Sequence, residues 1–294
     1  MDAVITYVNG LDPQWQASYA KAVGAPALTK RYRDWGTLRY LLRGIENCMP
    51  FIDDVYLVVS SASQVPSWAD TDHLRVVLHE DIFPAGVLPV FNSCTIEMFL
   101  HRIPGLDEEF IYFNDDMFPL DLCSRTDFFE GGIGKMDISR EVFAFNMYKK
   151  QCKVSDRLAR KALGQKPGVF FVRPQHICSP MLVSASKAAF DAVESDIMAS
   201  LSPLRREDNP NQYFYLDYMY YSGKLVPERI SNKHLSQGVY NADQISEYIM
   251  HPKTKMACIN DVQMSEETYR EMRRAIITAF ETRFPEKSRF EKTL

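Results

Sequence analysis

Three features are scarce in this 294-residue chain: long apolar runs, clustered cysteines and clustered basic residues. No apolar run approaches the roughly 20 residues that a membrane-spanning helix needs. The six cysteines are widely spaced and form no C-x-x-C pair, which favours a reduced chain over a disulfide framework or a zinc site. Basic residues number 34 against 38 acids and form no stripe interleaved with aromatics, so nucleic acid is not an expected partner.

The first residues, "MDAVITYVNG", contain an early acid and only a short apolar stretch, unlike a signal peptide. We therefore expect a cytoplasmic protein, and peripheral contact with the inner face of the membrane stays open. The chain is 46% hydrophobic and 24% charged, which is typical of a globular protein with a large core. We expect one domain over residues 1–294.

The first 120 residues alternate between strand-like and helix-like segments. The strand-like segments are β-branched or almost continuously apolar, and the helix-like segments repeat apolar residues at helical spacing. Strands are predicted at 3–8, 54–61, 74–79 and 109–113, and helices at 35–47 and 92–103. This order predicts an α/β fold with a largely parallel, Rossmann-like sheet flanked by helices.

Capping residues mark several helix ends. Asp34 is predicted to cap the first helix, and Asn92 or Ser93 the second. The second half reads as a mixture of helices and short strands, with helices predicted at 157–164, 184–199 and 207–221. A capping box that begins at Ser265 predicts a final helix to about Phe284.

Polar clusters follow three of the predicted strands, as "NGLD", "HED" and "NDD". Ligands of open α/β sheets bind beyond the carboxyl ends of the strands. In "FIYFNDDMF", Asp115 and Asp116 directly follow a core strand, and Mg²⁺ on a diphosphate favours one or two such carboxylates. The alternative is a local Asx turn, and spacing alone leaves both interpretations open.

Four regions of the chain, in order, resemble the Stealth family of sugar-phosphate transferases. "DAVITYVNGLDP" resembles the family's opening motif, and the long block from "TLRYLLRGIENCMPFIDDVYLVV" to "FIYFNDDMF" resembles its second region. "PQHICSPML" with "RREDNPNQYFYLDYMYY" resembles the third region, and "CIND" with "FETRFPEKSRFE" the fourth. The family includes bacterial capsule hexose-phosphate transferases and an animal Golgi N-acetylglucosamine-1-phosphotransferase.

The resemblance implies the transfer of a sugar-1-phosphate from a UDP-sugar to a hydroxyl of a polysaccharide or other glycan. The hydroxyl attacks the β-phosphorus, a phosphodiester forms and UMP leaves. Mg²⁺ or Mn²⁺ is the implied cofactor. The implied fold is GT-A-like, with nucleotide-sugar binding in residues 1–123 and completion of the active site by residues 124–294. Contact with a capsule-assembly partner stays open.

The family match also implies roles for individual residues. His176 is expected to be the general base that takes the acceptor proton. Arg206 is expected to clamp the transferred phosphate, with Arg205 as the alternative in register. Glu97 is a catalytic or donor-site candidate, although it also fits a simple i,i+4 pair with His101 on one helix.

The metal is expected at Asp115 and Asp116, of which Asp116 is also counted as catalytic. Asn260 and Asp261 of "CIND" are expected to complete the metal or phosphate site. Substrate contacts are predicted for residues at strand ends and on the first two helices: Asn9, Gly10, Asp12, Arg39, Arg43, Asn92, His101 and Arg102. An exposed helical arginine pair is the alternative interpretation of Arg39 and Arg43.

Two rival functions stay open at this point. A metal-dependent glycosyltransferase would share the acidic pair and the UDP-sugar but would release UDP. A non-catalytic sugar-binding or assembly protein would need neither His176 nor Asp116. Release of UMP or of UDP distinguishes the sugar-phosphate transferase from the glycosyltransferase. The activity that remains after substitution of His176 and Asp116 distinguishes the transferase from the non-catalytic protein.

Overall fold

The structure, a computed structural model, describes residues 1–27 and 32–293. Its largest sheet has five strands in the order β10-β4-β1-β2-β3. These strands are β1 (Asp2–Thr6), β2 (Val55–Val59), β3 (Leu74–Leu78), β4 (Glu109–Asn114) and β10 (Ser179–Leu182). The run β3-β2-β1-β4 has the order of the first four strands of a Rossmann fold, and β10 adds an antiparallel edge next to β4. The predicted α/β class is confirmed.

The core strands of the first half and its helix predicted at 35–47 fall close to the predicted places. All five residues of β2 are buried, as expected of a strand covered on both faces. The helix α1 (Pro13–Val23) was not predicted, and the helix predicted at 35–47 is α2 (Leu38–Cys48). The prediction that Asp34 caps α2 is wrong: Thr37 stands at the N-cap, and the Asp34 carboxylate instead accepts the Gly36 N–H at 2.8 Å.

The single helix predicted at 92–103 is also wrong, because it divides into two short pieces. After α3 (His79–Ile82), α4 covers only Ser93–Glu97, and a 3₁₀ turn covers Leu100–Arg102. Asn92 does cap α4, accepting the Cys94 N–H at 3.1 Å. Glu97 and His101 therefore do not share one continuous helix face.

Three smaller sheets accompany the five-stranded one. One consists of β11 (Leu225–Pro227), β7 (Ile133–Met136) and β6 (Phe129–Glu130). A second consists of β12 (Asn232–His234), β13 (Met256–Cys258) and β5 (Met117–Pro119). The third pairs β8 (Ile138–Glu141) with β9 (Phe171–Pro174). The mixed α+β second half is thus confirmed.

The later helices extend, divide or shorten the predicted ones, and the helix at Ala242–Met250 was not predicted. The short basic helix becomes the end of α5 (Met147–Ala162), and the helix at 184–199 becomes α6 (Val183–Ala192) and α7 (Glu194–Ser200). They are followed by α8 (Tyr213–Tyr221), α9 (Ala242–Met250) and α10 (Glu266–Arg283). Ser265 caps α10 as predicted, accepting the Thr268 N–H at 3.1 Å.

The chain divides into two compact units that are discontinuous in sequence. One comprises residues 1–4, 77–112 and 126–230, and the other comprises residues 5–76, 113–125 and 231–294. The predicted functional division near residue 123 stays a prediction. Within the described ranges, no helix has the length and apolarity needed to cross a membrane.

Candidate functional site

The acidic pair lies in the turn between β4 and β5, within the second unit. Strand β5 pairs antiparallel with β13, so that Met117 stands opposite Cys258. The Ile259 N–H donates to the Asp116 carbonyl at 2.8 Å. The pairing therefore brings the start of β5 beside "CIND", more than 140 residues away in sequence. Asp116 Oδ2 also accepts a 3.6 Å hydrogen bond from Cys258 Sγ.

Negative charge is concentrated around this turn. Burial raises the pKa of Asp115 to about 8, and the neighbouring carboxylates of Asp116 and Asp34 add to the shift. Burial and the carboxyl groups of Asp34 and Asp115 raise the pKa of Tyr7. The surroundings of the turn therefore favour the protonated form of Asp115, and a bound cation would favour its carboxylate form.

Several oxygens of this region lack hydrogen-bond partners among the described residues. They are Asp116 Oδ1 and both carboxylate oxygens of Asp261, and all three atoms are buried. Burial raises the pKa of Asp261 as well, although the charge of Arg33 and the nearby N–H groups of Trp35 and Val262 act in the opposite direction. Buried carboxylate oxygens without donors are costly, and they are the hard ligands that Mg²⁺ and Mn²⁺ prefer. Asp116 and Asp261 therefore each offer oxygens of the kind that a divalent cation binds, and their joint binding of one ion stays a prediction.

Asn260, the other predicted residue of "CIND", is engaged with a neighbouring strand. β12 runs parallel to β13 with His234 opposite Cys258, and His234 Nε2 lies 2.5 Å from Asn260 Oδ1. Its predicted role in binding the metal or phosphate stays a prediction.

The sequence interpretation missed a buried cation beside Asp261. The Arg33 side chain is only 7% exposed, and its Nη1 lies 3.6 Å from Asp261 Oδ1, too far for a hydrogen bond. Its Nε and Nη1 have no hydrogen-bond partner in the described ranges, and the guanidinium lies 4.4 Å from the centre of the Tyr269 ring. No spacing in "RYRDWG" distinguishes Arg33 from its neighbours, and its contacts with Asp261 and with Tyr269 of α10 come from far along the chain.

The loop after β1 is fixed by its own hydrogen bonds. Asp12 accepts the Gln14 N–H at 3.0 Å and so caps α1, and its other oxygen accepts from Ser63 at 2.6 Å and Gln64 at 2.7 Å. The Asn9 N–H donates to Gln64 at 2.7 Å. A Cβ on Gly10 would lie 2.2 Å from the Tyr32 carbonyl oxygen, so only glycine fits. The predicted substrate contacts of this loop stay predictions.

The two arginines of α2 differ in their surroundings. Arg39 lies over the Trp68 ring at 4.8 Å. Arg43 is buried and forms a two-pronged ion pair with Glu291, at 2.6 and 2.9 Å, and donates to the Phe284 carbonyl at 2.8 Å. Arg43 is buried, so the alternative of an exposed arginine pair fits it poorly. The predicted phosphate contact also fits it poorly, because Glu291 and the Phe284 carbonyl already accept from its guanidinium.

We expect Arg43→Ala to lower the free energy of unfolding by about 3–5 kcal/mol, because it leaves the Glu291 carboxylate buried and unpaired. Urea denaturation measures the change. Arg75→Ala is the matched control, since it removes an exposed pair with Asp54 that is worth about 0–1 kcal/mol. Equal losses in the two variants would contradict a structural role for Arg43.

Glu97 is fully enclosed in the first unit. Its carboxylate accepts the Gln212 N–H at 2.9 Å, at the start of α8, and the Tyr112 hydroxyl at 3.3 Å. Burial raises its pKa, although these two donors and the Arg205 charge act in the opposite direction. Both oxygens thus have protein partners, and the predicted donor contact stays a prediction.

The raised pKa of Glu97 means that its ionisation opposes folding above the unfolded-state pKa. We expect Glu97→Gln to match the wild type in free energy of unfolding at pH 4 and to exceed it increasingly as the pH rises above the unfolded-state pKa. An amide oxygen can still accept the Gln212 N–H, and the amide nitrogen can face Tyr112. Denaturation at a series of pH values measures the difference, and a constant difference would refute the expectation.

The other donor-site candidates of this unit are packed into its interior. Asn92 also donates to Asn209 at 3.0 Å in a buried network with Ser202. His101 lies against Phe190, with ring centres 5.1 Å apart, and burial lowers its pKa to about 4, so it is neutral at pH 7. Arg102 stacks over Phe190 at 4.8 Å. Their substrate contacts stay predictions.

His176 lies between β9 and β10 and is oriented by tyrosines. Its Nδ1 lies 2.9 Å from the Tyr213 hydroxyl, which accepts a 3.1 Å hydrogen bond from Tyr148. The Tyr148 and His176 rings meet edge to face at 5.8 Å. If Nδ1 carries the proton and donates to Tyr213, Nε2 is the basic nitrogen. The sequence showed the aromatic run 213–221 but not this pairing.

Arg205 and Arg206 have separate partners. Arg206 forms a two-pronged pair with Asp208, at 2.8 Å for both bonds, and is half exposed. Arg205 donates to the Ser93 hydroxyl. The choice between them as phosphate clamp stays a prediction.

Comparison of the sequence with known proteins gives three matches. The model of conserved region 2 of Stealth proteins matches residues 31–136. A receptor polysaccharide phosphotransferase, WefC of Streptococcus oralis, is 30% identical, with 99% of both chains covered. A capsular polysaccharide phosphotransferase, WcwK of Streptococcus pneumoniae, is also 30% identical, with 99% of this chain and 98% of its own length covered.

Among solved structures, the galactosyltransferase LgtC in complex with donor and acceptor sugar analogues is similar over 95% of each chain, with a TM-score of 0.46 and 10% identity. The whole-length match to WefC and the match of conserved region 2 establish the relationship from sequence. This chain belongs to the Stealth family.

Proposed function

We propose that this protein transfers a sugar-1-phosphate from a UDP-sugar to a hydroxyl of a glycan acceptor, forming a phosphodiester and releasing UMP. One observation carries the proposal: the chain matches polysaccharide phosphotransferases of two streptococci from end to end. A phosphotransferase is the enzyme class that this match supports. The sugar and the acceptor are not specified by it.

The acidic turn supports a metal-dependent reaction. Asp116 and Asp261 are the residues that would hold Mg²⁺ or Mn²⁺. Asp115, which precedes Asp116 in the sequence and is influenced by its charge, is the further candidate. When bound, the ion would neutralise the charge of the donor diphosphate and of the leaving UMP. The protein part of this function is to bury carboxylate oxygens of Asp116 and Asp261 so that they face the ion and not bulk water.

Arg33 is proposed to bind a phosphate of the donor. Its buried donors lack acceptors in the described ranges, and phosphate oxygens supply acceptors that match a guanidinium. Arg206 is proposed to release Asp208 and to bind the transferred phosphate in its place. An exposed ion pair of this kind is worth about 0–1 kcal/mol, so the exchange costs little.

His176 is proposed as the general base. The acceptor hydroxyl gives its proton to Nε2 while its oxygen forms a bond to the β-phosphorus, and the bond from that phosphorus to the oxygen of UMP breaks. The Tyr213 hydroxyl is proposed to hold the ring in the tautomer with the proton on Nδ1. Burial raises the pKa of Tyr213 well above its usual value, so this hydroxyl stays neutral while it does so.

We expect Arg33→Gln to raise KM for the UDP-sugar and to lower kcat/KM roughly 10- to 100-fold, because a hydrogen bond to a charged group is lost. Steady-state kinetics with varied donor measure the change. Arg270→Gln is the matched control, since Arg270 is an exposed arginine on α10 paired with Glu266. An unchanged KM in Arg33→Gln would remove Arg33 from the donor site.

The reaction itself is tested by a screen of UDP-sugars with a glycan acceptor, with and without Mg²⁺. UMP and UDP are separated by chromatography, and the product is analysed by mass. We expect UMP and a product heavier by one hexose phosphate. Release of UDP alone, with a product heavier by a hexose, would establish a glycosyltransferase and refute the proposal.

A further inference from the structure

Two exposed apolar segments lie at one end of the two-stranded sheet β8–β9, and we call residues 142–147 and 168–170 the apolar tip. The strands pair antiparallel with Glu141 opposite Phe171, so the chain leaves β8 and enters β9 at the same end. Phe143 is 65% exposed, Phe145 82% and Val169 81%. The rings of Phe143 and Phe145 stack on each other at 5.6 Å rather than packing into the core.

A cationic helix face begins inside this tip. Helix α5 starts at Met147 and buries one side, which includes Gln151, Cys152, Ser155, Asp156 and Ala159. Its other side carries positive residues at helical spacing, namely Lys150, Lys153, Arg157 and Lys161. Because successive members are three or four residues apart, they form one stripe along the helix.

The charge of this segment opposes that of the whole chain. Residues 138–170 contain eight Lys and Arg against two acids, whereas the chain carries a net charge of -4. The first acid, Glu141, is held by Lys149 at 2.9 Å and Arg173 at 3.0 Å. The second, Asp156, is held by Arg160 at 3.1 Å. The charge that this surface offers to a partner is therefore positive.

Two members of the stripe have acidic neighbours from outside the segment. Lys150 pairs with Glu207 at 2.6 Å, and Lys161 with Asp196 at 2.7 Å. Both pairs are exposed, so a competing anionic surface can open them at little cost. Arg157 and Lys166 are exposed beside them, and Arg140 and Arg160 line the pocket that Val169 and Phe170 border.

We propose that the apolar tip and the cationic face of α5 dock this protein onto an anionic lipid surface. Reversible membrane binding usually needs both apolar insertion and electrostatic attraction. The protruding aromatic and aliphatic side chains supply the first, and the neighbouring lysines and arginines supply the second by contacting anionic headgroups. A fluid interface accepts separate side chains that project from loops, whereas a protein partner would have to provide a matching pocket for each. The proposal does not depend on the phosphotransfer reaction.

Co-sedimentation of the full chain with extruded vesicles tests the proposal. We expect binding to vesicles of phosphatidylcholine with phosphatidylglycerol, weak binding to phosphatidylcholine alone, and release from the anionic vesicles at high salt. Phe143→Ser/Phe145→Ser and Lys153→Glu/Arg157→Glu are each expected to weaken partition about tenfold or more, since each cation near the surface and each inserted side chain contributes separately.

Matched variants in the other unit control for surface changes in general. Leu122→Ser/Val239→Ser removes two exposed apolar residues, and Lys21→Glu/Lys253→Glu reverses two exposed charges. Both are expected to bind within about twofold of the wild type, because neither pair belongs to the surface that meets the lipid. Thermal unfolding of every variant shows that the fold is kept.

Four results would overturn the proposal: no binding to anionic vesicles, equal binding to neutral ones, unchanged binding of either tip or helix variant, or an equal loss in the controls. A wild-type dimer that Phe143→Ser/Phe145→Ser converts to a monomer would assign the tip to self-association and would overturn it too. Sedimentation velocity without vesicles detects that outcome.

Discussion

Asp116→Asn is expected to lower kcat at least about a hundredfold while raising the thermal stability of the metal-free protein. Loss of a carboxylate ligand removes several kcal/mol of charge stabilisation, and each 1.36 kcal/mol is a factor of ten. The same substitution relieves the repulsion between Asp115 and Asp116 that contributes to the raised pKa of Asp115. We therefore expect the metal-free Tm to rise by a few degrees.

A metal titration separates these two effects. Mg²⁺ is expected to raise the Tm of the wild type in proportion to its binding and to leave the Tm of Asp116→Asn almost unchanged. Asp72→Asn, in an exposed turn of the same unit, is the control and should respond to Mg²⁺ like the wild type. A full Mg²⁺ shift in Asp116→Asn would show that this carboxylate does not bind the ion.

His176→Ala is expected to lower kcat roughly 100- to 10,000-fold, which is the contribution of a positioned general base. The Mg²⁺-dependent rise in Tm is expected to stay, because the substitution leaves every carboxylate in place. His73→Ala, at an exposed histidine, is the control for loss of an imidazole. Steady-state kinetics and thermal unfolding measure the two quantities on the same preparations.

Tyr213→Phe distinguishes a catalytic role of His176 as general base from a purely structural role of that histidine. If Tyr213 holds the productive tautomer, the variant loses part of kcat with KM for the acceptor nearly unchanged, since ring orientation affects only the proton transfer. A loss below tenfold in both His176→Ala and Asp116→Asn would dismiss the site as a whole. It would favour a non-catalytic sugar-binding or assembly protein.

The sequence was informative wherever the physical signal is local. The continuous apolar run of β2 and the Ser265 cap of α10 were read correctly, since burial on two faces and capping each act over a few residues. The helix predicted at 92–103 was wrong although its apolar spacing is helical. In that segment Asn92 donates a hydrogen bond to Asn209, and Glu97 accepts one from the Gln212 N–H. The helix ends at Glu97, the residue that makes the second of these long-range hydrogen bonds.

The site shows the same division between local and long-range information. "FIYFNDDMF" alone marked two acids after a strand, and the order of four motifs gave the family. Nothing local indicated that Arg33 is buried beside Asp261, or that Arg43 is held by Glu291. Both arginines lie in segments where arginines are usually exposed. Only packing against residues far along the chain buries their side chains.

By itself, the sequence determined the α/β class, the family and the identity of the acidic pair, because these follow from periodicity and from motifs that are contiguous in the chain. The tertiary structure alone decided what surrounds those residues. The pairing of β5 with β13 places "CIND" beside Asp116, and burial there raises the pKa of Asp115 and leaves carboxylate oxygens without donors. Such effects depend on the solvent and charge around each group, which the chain acquires only when segments far apart in sequence pack together.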